Sequence, residues 1–533
     1  MTIVNVVGAG LAGLSAALEL GNAGVSCRLV SAQASERAQS VLAEGGINAV
    51  LDLMGEHDTL REHYEDTMRG GAYLADPNAV WGLVSDAPLI VRRLADLGVP
   101  FQQEHGAMIQ RNFGGQKKKR TAYVKSSTGK VLVSALVDAV RRLEDKGVVT
   151  RAWHHELMDL ELADGACEGV WVRDTHTGAL ELLGGPTVLA CGGMGGLFGN
   201  LTTGTTTNTG NAAAIALARG VELANLEFLQ YHPTTMPLSV KRMLVTEAAR
   251  GEGGRLFALR RGEPWYFMED KYPELGNLMP RDVVSREEEA VLKDPSCGGQ
   301  VYLDMRGLSA HVWRTRLSDL RDEVRHYQHL DPAKEPLPVE PGIHYCMGGI
   351  LVDERHRTNV ARLYAAGECA CAYHGANRLG GNSLLGAIRG GMVAARTLLD
   401  EDVSAQGRTQ TRAAVSADTP ASTNASLQTN TNDVERAMQK ALVGCMGITR
   451  TQQELEAGLR SLEALPHTAR VALARATVAC ALARQESRGA HQRSDYPHTS
   501  DDFRRTTVVR WQGDQPSIEF RALPEPRKEV PQA

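Results

Sequence analysis

The chain predicts an α/β fold in which a doubly wound, Rossmann-like nucleotide domain is split by a capping insertion and followed by a helical domain. Three observations predict it. Residues 1–31 read as strand, glycine turn, helix and strand: an apolar run from Ile3 to Val7, a turn, the helical alternation LSAALELGNAG, then VSCRLVS. That order makes a βαβ unit. Two more apolar strands ending in glycine, Thr187–Gly193 and Leu363–Glu368, are placed to extend the same sheet across a long insertion. Beyond Val434, strong helix formers recur at helical period in ELEAGLRSLEAL and ARVALARATVACALARQ.

Taken in order, residues 1–228 supply the first part of the nucleotide domain and 341–402 the second. Residues 229–340 are rich in prolines, tryptophans and charges, as expected of a cap laid over a cofactor domain, and this cap should carry substrate groups. Residues 403–433 shift to Ser, Thr, Asn, Gln and Ala with few large apolar side chains. Such a stretch buries too little surface to offset the entropy of ordering and reads as a flexible linker. A small helical domain at 434–490 and an extended C-terminal segment at 491–533 complete the chain. With 533 residues, two or three structural units are expected.

Bulk properties narrow the function. An apolar fraction of 43% with ordinary charge content describes a globular protein, and a net charge of -5 leaves no basic field to attract nucleic acid. The nine cysteines are scattered, with no CxxC pair, which suits a reduced, cytoplasmic chain without an iron–sulfur or zinc site; no metal is expected. No charged leader opens the sequence and no stretch reaches the roughly 20 apolar residues of a membrane span. Membrane attachment, peripheral at the inner face, would have to come through a partner.

The first motif is Gly8-Ala9-Gly10-Leu11-Ala12-Gly13, between an apolar strand and a helix. Glycines there allow a tight turn and bring a pyrophosphate against the helix N-terminus, whose N–H groups and dipole favour an anion. Ser31 stands where an acidic residue often ends the second strand; its hydroxyl can bond a ribose, but the motif alone does not identify the nucleotide. Ala43-Glu44-Gly45-Gly46, taken alone, is an ordinary glycine turn. The run Lys117–Arg120 reads as a solvated charge cluster and receives no function.

Further motifs follow in a fixed order: Tyr231-His232-Pro233-Thr234, then Thr246-Glu247 through Arg250, Pro280-Arg281-Asp282, His344 within HYCMGGI, Gly367-Glu368, Arg378-Leu-Gly-Gly-Asn-Ser383-Leu384, and SRGAHQRSDYP ending at Pro497. With them the chain resembles the succinate dehydrogenase, fumarate reductase and L-aspartate oxidase family of flavoproteins over nearly its whole length. The resemblance implies an FAD cofactor, held by Gly8, Gly10, Leu11, Ala12, Gly13, Ser31, Ala43, Glu44, Gly45, Gly46, Ala190, Gly192, Gly193, Asn211, Glu368, Arg378, Ser383 and Leu384. It implies a dicarboxylate substrate bound by His232, Thr246, His344 and Arg378, with Phe113 beside it. Arg281 corresponds to the proton donor and Glu247 with Arg250 to the relay that reprotonates it. A guanidinium is an unusual acid because its free pKa is so high, so it needs tight placement and rapid resupply. Since the chain has no iron–sulfur motif and a flavin needs electrons, a separate iron–sulfur subunit is expected as electron partner, with a thiol or free flavin donor as the alternative.

Two departures sharpen this. Membrane-complex members usually carry a histidine joined covalently to FAD four residues before the Ala-Glu/Gln-Gly-Gly motif. Here Gln39 stands there, and no histidine occurs between Met1 and Glu56, so non-covalent FAD of lower potential is expected, which favours fumarate reduction. The oxidases typically have Arg-Glu-Gly-Gly-His-Ser, whose glutamate can pair with a substrate ammonium. This chain reads Arg111-Asn112-Phe113-Gly114-Gly115-Gln116, and a phenyl ring offers no countercharge. The flavoprotein subunit of a fumarate reductase or succinate dehydrogenase type complex, working toward fumarate reduction, is therefore the leading expectation. The alternatives are L-aspartate oxidase, a reductase of another unsaturated acid, and a flavin-bound scaffold without turnover.

Overall fold

The computed structural model describes residues 3–401, 411–412 and 428–532, with backbone alone at 411–412 and 428–431. At its centre lies a parallel sheet. Strand β1 (Val4–Val7) leads into helix α1 (Leu11–Asn22) and strand β2 (Cys27–Ser31), and later segments add β3 (Val149–Trp153), β4 (Thr187–Leu189) and β5 (Leu363–Ala365) in the order β5-β4-β1-β2-β3. All neighbours are parallel. The three strands read from sequence thus share one sheet, and β3 extends its edge.

Strand alternation decides what covers each face. Val4, Val6, Leu29 and Val188 point into a layer of helices that includes α1, Pro77–Asp96, Thr128–Glu144 and Asn382–Asp400. Val7, Val30, Leu189 and Leu363 point to the other side, into a core shared with Asn211–Ala218 and with an antiparallel sheet formed by His155–Ala163, Ala166–Asp174 and Leu180–Gly184. One face is therefore helical and the other largely antiparallel β.

The insertion carries its own six-stranded sheet, with Leu229–Pro237 and Leu337–Cys346 paired at its middle. Helix α2 (Arg281–Lys293) packs on these two strands. A separate core of Met236, Val245, Phe267, Val284, Leu303 and Trp313 holds this unit together. Leu229–Pro237 opens the insertion and Leu337–Cys346 closes it, so its first and last strands pair with each other.

Most of the expected linker at 403–433 lies outside the described residues, but its end is helical: the helix Gln428–Cys445 begins before Val434. Helices Gln452–Glu463 and Ala469–Ala483 follow. The C-terminal segment is more ordered than simple extension implies. Arg505–Gln512 and Gln515–Ala522 form a hairpin whose first strand pairs with Leu223–Ala224. Arg484 ties these parts together: fully buried, it donates to Glu227 at 2.7 Å, to Glu486 at 2.9 Å and to Thr507 at 2.6 Å.

The charge run at 117–120 is not simply solvated. Arg120 is fully buried between Asp58 and Asp66, each at 2.8 Å, because two acidic residues from another segment reach it. Lys118 and Lys119 do lie outward, near Glu62 and Glu56. All nine cysteines are free. Among the described residues no group of His, Cys, Asp or Glu is arranged to hold a metal ion, and no helix is long and apolar enough to cross a membrane.

Candidate active site

Two adjoining cavities lie where the insertion meets the carboxyl ends of the parallel strands. The larger, about 310 Å³, starts at the turn between β1 and α1. Gly8 there has φ +114°, and a Cβ on it would sit 2.1 Å from the Ala190 carbonyl oxygen, so glycine is required. Gly10 occupies the N-cap of α1 without a capping side chain, and Ser40 accepts from the Leu11 N–H at 3.3 Å. The start of α1 thus remains an anion site open to the cavity. Ser31, at the end of β2, is buried with its hydroxyl unpartnered among the described residues, as a group awaiting a ligand would be.

Gly8, Gly10, Leu11, Ala12, Ser31, Ala43, Ala190, Gly192, Asn211, Glu368, Arg378, Ser383 and Leu384 all line this cavity. Glu44, Gly45 and Gly46 line the smaller one instead. Gly13 and Gly193 line neither. Gly13 lets α1 pass the Gly8 carbonyl, where a Cβ would come within 1.7 Å, and Gly193 packs on the Glu368 carboxyl. Asn211 donates to the Leu157 carbonyl at 2.8 Å, and Glu368 accepts from the Cys346 N–H at 3.1 Å. Gln39 sits at the rim, its side-chain oxygen held by the Thr205 N–H at 2.6 Å.

The smaller cavity, about 50 Å³, is lined by Phe113, His232, Thr246, Glu247, Arg281, His344 and Arg378. His232 Nδ1 lies 3.2 Å from both the N–H and the carbonyl oxygen of Thr234, and its Nε2 is buried without a hydrogen-bond partner among the described residues. Burial and the nearby guanidinium of Arg281 hold both His232 and His344 well below the usual imidazole pKa, so both are neutral. The two rings stand edge to face at 5.1 Å, and His344 Nδ1 lies 2.8 Å from the Thr203 hydroxyl. Phe113 backs onto Gly45, and Arg111 fixes that loop by donating to the Gly45 carbonyl.

Arg281 begins α2, where Pro280 precedes it in an extended conformation. It does not pair with its neighbour Asp282, which instead accepts from Asn377 at 2.9 Å. Its Nε and one Nη donate to the same oxygen of Glu247 at 2.8 and 2.5 Å. The other Glu247 oxygen accepts from the Gly114 N–H at 2.9 Å and lies 3.6 Å from Arg250. Arg250 lines neither cavity and is fully buried behind Glu247. Burial alone would raise the Glu247 carboxyl, but Arg281 and Arg250 outweigh it and hold it below the usual range.

One residue absent from the sequence reading joins the site. Gln230 accepts through a single oxygen from Arg281 at 3.1 Å and from Arg378 at 2.9 Å, while its amide donates to Asn377 and to the Arg378 carbonyl. It separates two like charges. Arg378 also lies over the Tyr345 ring at 4.5 Å, and its Nε is buried without a hydrogen-bond partner among the described residues. Burial, and then repulsion from Arg281, push Arg378 down to about 9. Glu368 behind it is pushed up to about 7 by burial, and Glu44 stands well above the carboxylate range for the same reason. Two guanidiniums, Arg281 and Arg378, therefore line the small cavity beside Glu247, the lining carboxylate held below the usual range. The site is short of negative charge.

Residues 4–384 match the family model described as an FAD binding domain, and residues 463–531 match that of the fumarate reductase flavoprotein C-terminus. The flavoprotein subunit of succinate dehydrogenase from Bacillus subtilis (strain 168) is 41% identical over 73% of this chain and 67% of its own. That of fumarate reductase from Mycobacterium tuberculosis (strain H37Rv) is 33% identical over 96% of this chain and 94% of its own. The chain belongs to the succinate dehydrogenase and fumarate reductase flavoprotein family. Within this family of FAD-dependent oxidoreductases, an L-aspartate oxidase of Streptomyces coelicolor is also 33% identical, over 96% of this chain and 92% of its own. The fold agrees over the full length: a quinol fumarate reductase structure from E. coli superposes with a TM-score of 0.87 at 27% identity, covering 100% of this chain and 98% of that one.

Proposed function

We propose that this flavoprotein reduces fumarate, or a closely related unsaturated dicarboxylate, to its saturated product. The observation that carries the reading is the excess of buried positive charge in the small cavity, where Arg281 and Arg378 meet Glu247 while the Glu44 carboxyl is raised well above its ordinary range. A dianion supplies what is missing. FAD, held by the residues along the larger cavity, would supply the hydride.

Arg378 and the Nε2–H of His232 donate to the carboxylates, with Thr246 and His344 completing the set. The planar fork of Arg378 suits bidentate recognition. Arg281 gives a proton to the substrate carbon opposite the hydride, and Glu247 and Arg250 restore it. The neutrality of His232 and His344 matters here, because a neutral imidazole donates without competing with Arg281 as an acid. An amino group beside Phe113 would be desolvated without compensation, which supports an amine-free substrate over L-aspartate.

Gln39, held by the Thr205 N–H, offers no nucleophile, so FAD is bound without a covalent bond. Electrons come from a separate iron–sulfur subunit. Binding of the non-reacting dicarboxylate malonate tests the reading directly: it should perturb the flavin absorbance of wild-type protein and leave that of the Arg378→Ala variant unchanged. An equal response in both would exclude the cavity as the dicarboxylate site.

A further inference from the structure

Arg281 and Arg378 come from different units of the fold. Arg281 opens α2 in the insertion, whereas Arg378 stands between β5 and the helix Asn382–Asp400 of the nucleotide domain. Their relative placement decides whether a carboxylate held by one brings a carbon within reach of the other. Gln230, fully buried on the strand Leu229–Pro237, is bonded to both. Its side-chain oxygen accepts from Arg281 Nη1 at 3.1 Å and from Arg378 Nη2 at 2.9 Å, while its amide N–H groups go to the Asn377 side-chain oxygen at 2.7 Å and the Arg378 carbonyl at 2.8 Å. All four hydrogen-bonding positions of the amide are used. Its orientation is also dictated, because guanidiniums only donate and a carbonyl only accepts: a flipped amide would set N–H against N–H and oxygen against oxygen.

The same logic runs one residue further. Asn377, also buried, accepts from Gln230 through its oxygen, so its N–H groups face Asp282, whose Oδ1 accepts at 2.9 Å. This chain of hydrogen bonds leaves the insertion at Asp282, crosses to the nucleotide domain at Asn377, and returns at Gln230. On the reading that Arg281 is the acid and Arg378 the carboxylate clamp, we propose that Gln230 is the positioning residue that sets one against the other, and that Asp282, acting through Asn377, fixes its orientation. A misplacement of about 1 Å can cost about a hundredfold in rate, so two guanidiniums contributed by separate units need such a tie. The amide has a second effect. A carboxylate at this place would neutralise positive charge that a dianion needs, whereas a neutral oxygen holds both arginines and leaves their charge to the substrate. Gln230 lines neither cavity, so it acts through the arginines.

Gln230→Met keeps the length of the side chain without its hydrogen bonds, and Asn377→Leu removes the tie to Asp282. The double variant Asn377→Asp/Asp282→Asn keeps each donor and acceptor in place and moves the charge by one residue. Fumarate reduction driven by reduced viologen is followed in water and in deuterium oxide, with malonate binding by flavin absorbance, FAD content and Tm measured on each preparation. For Gln230→Met, kcat should fall by about a hundredfold, malonate Kd should rise by about tenfold, and the solvent isotope effect should grow, with FAD retained. Asn377→Leu should lose roughly tenfold or more in kcat, and the double variant should recover most of that loss. Wild-type kcat and malonate Kd in Gln230→Met would overturn the proposal. So would a double variant no more active than Asn377→Leu, or loss of FAD and Tm with kcat per bound FAD unchanged. If wild-type protein neither binds malonate nor reduces fumarate, the dicarboxylate reading falls and the proposal with it.

Discussion

Replacing Arg281 by lysine tests the roles of the buried arginines most sharply. The native guanidinium makes three hydrogen bonds, two to one Glu247 oxygen and one to Gln230. A lysine ammonium is a point donor on a shorter reach and cannot span both partners while facing the cavity. A positioned acid contributes about 10²–10⁴ in rate, so Arg281→Lys should lower kcat by about a thousandfold, a barrier rise of roughly 4 kcal/mol. The stability cost should be smaller. Removing one partner of a buried ion pair costs about 3–5 kcal/mol, but lysine keeps the positive charge near Glu247, which Arg250 and the Gly114 N–H also hold. About 1–2 kcal/mol is expected from what remains. Because Arg378, His232, Thr246 and His344 are intact, dicarboxylate affinity should change by less than about tenfold. Turnover, malonate binding, flavin occupancy and Tm are measured on one preparation. An Arg281→Lys enzyme that keeps more than about a tenth of wild-type kcat, a barrier change under about 1.4 kcal/mol, would refute the acid's role. So would loss of flavin and stability ahead of activity.

Other consequences follow from the same geometry. Acid precipitation should release the yellow chromophore into the supernatant, because Gln39 offers no attachment; fluorescence staying with the denatured chain on a gel would contradict it. Arg378→Ala should raise the dicarboxylate Kd by roughly a hundredfold, near 3 kcal/mol for a charge-assisted contact, and lower kcat as well; an unchanged Kd would move the carboxylate elsewhere. Burial holds His63 and His374 neutral down to about 3, against 6.5 in the unfolded chain. As pH falls below 6.5 the unfolded state therefore binds protons that the folded state does not, and stability is lost, by roughly 2 kcal/mol for each histidine at pH 5. Tm should drop between pH 7 and 5, and His374→Gln should flatten that slope; equal slopes would show that His374 titrates alike in both states.

The βαβ start was legible because its signals are local: strand alternation, the glycine turn and the helical period occupy neighbouring residues. Glu247 as partner of Arg281 was not legible from the residues alone, which put Arg281 next to Asp282. Successive side chains on a helix point about 100° apart, so α2 sends Asp282 to Asn377 while Arg281 enters the cavity. The resemblance named Glu247 and Arg250, but fold contacts were needed to order them. Gln230 could have been found, since strand parity puts it on the same side as His232. The burial of Arg120 could not, because Asp58 and Asp66 reach it from distant sequence. The C-terminal hairpin did have a signal, the run Arg505–Gln512 followed by Gly513 and Asp514. Its docking on Leu223–Ala224 is a long-range pairing that no local pattern marks.

The central claim is that a cavity rich in buried guanidinium and lined by Phe113 turns over an amine-free unsaturated dicarboxylate. Anaerobic turnover of the purified protein with reduced viologen, measured against fumarate and set beside oxygen uptake on L-aspartate, tests it most directly. Rapid viologen oxidation with fumarate, far slower succinate oxidation under matched conditions, and negligible oxygen uptake with L-aspartate are expected. Sustained oxygen uptake on L-aspartate with no fumarate reduction would contradict it.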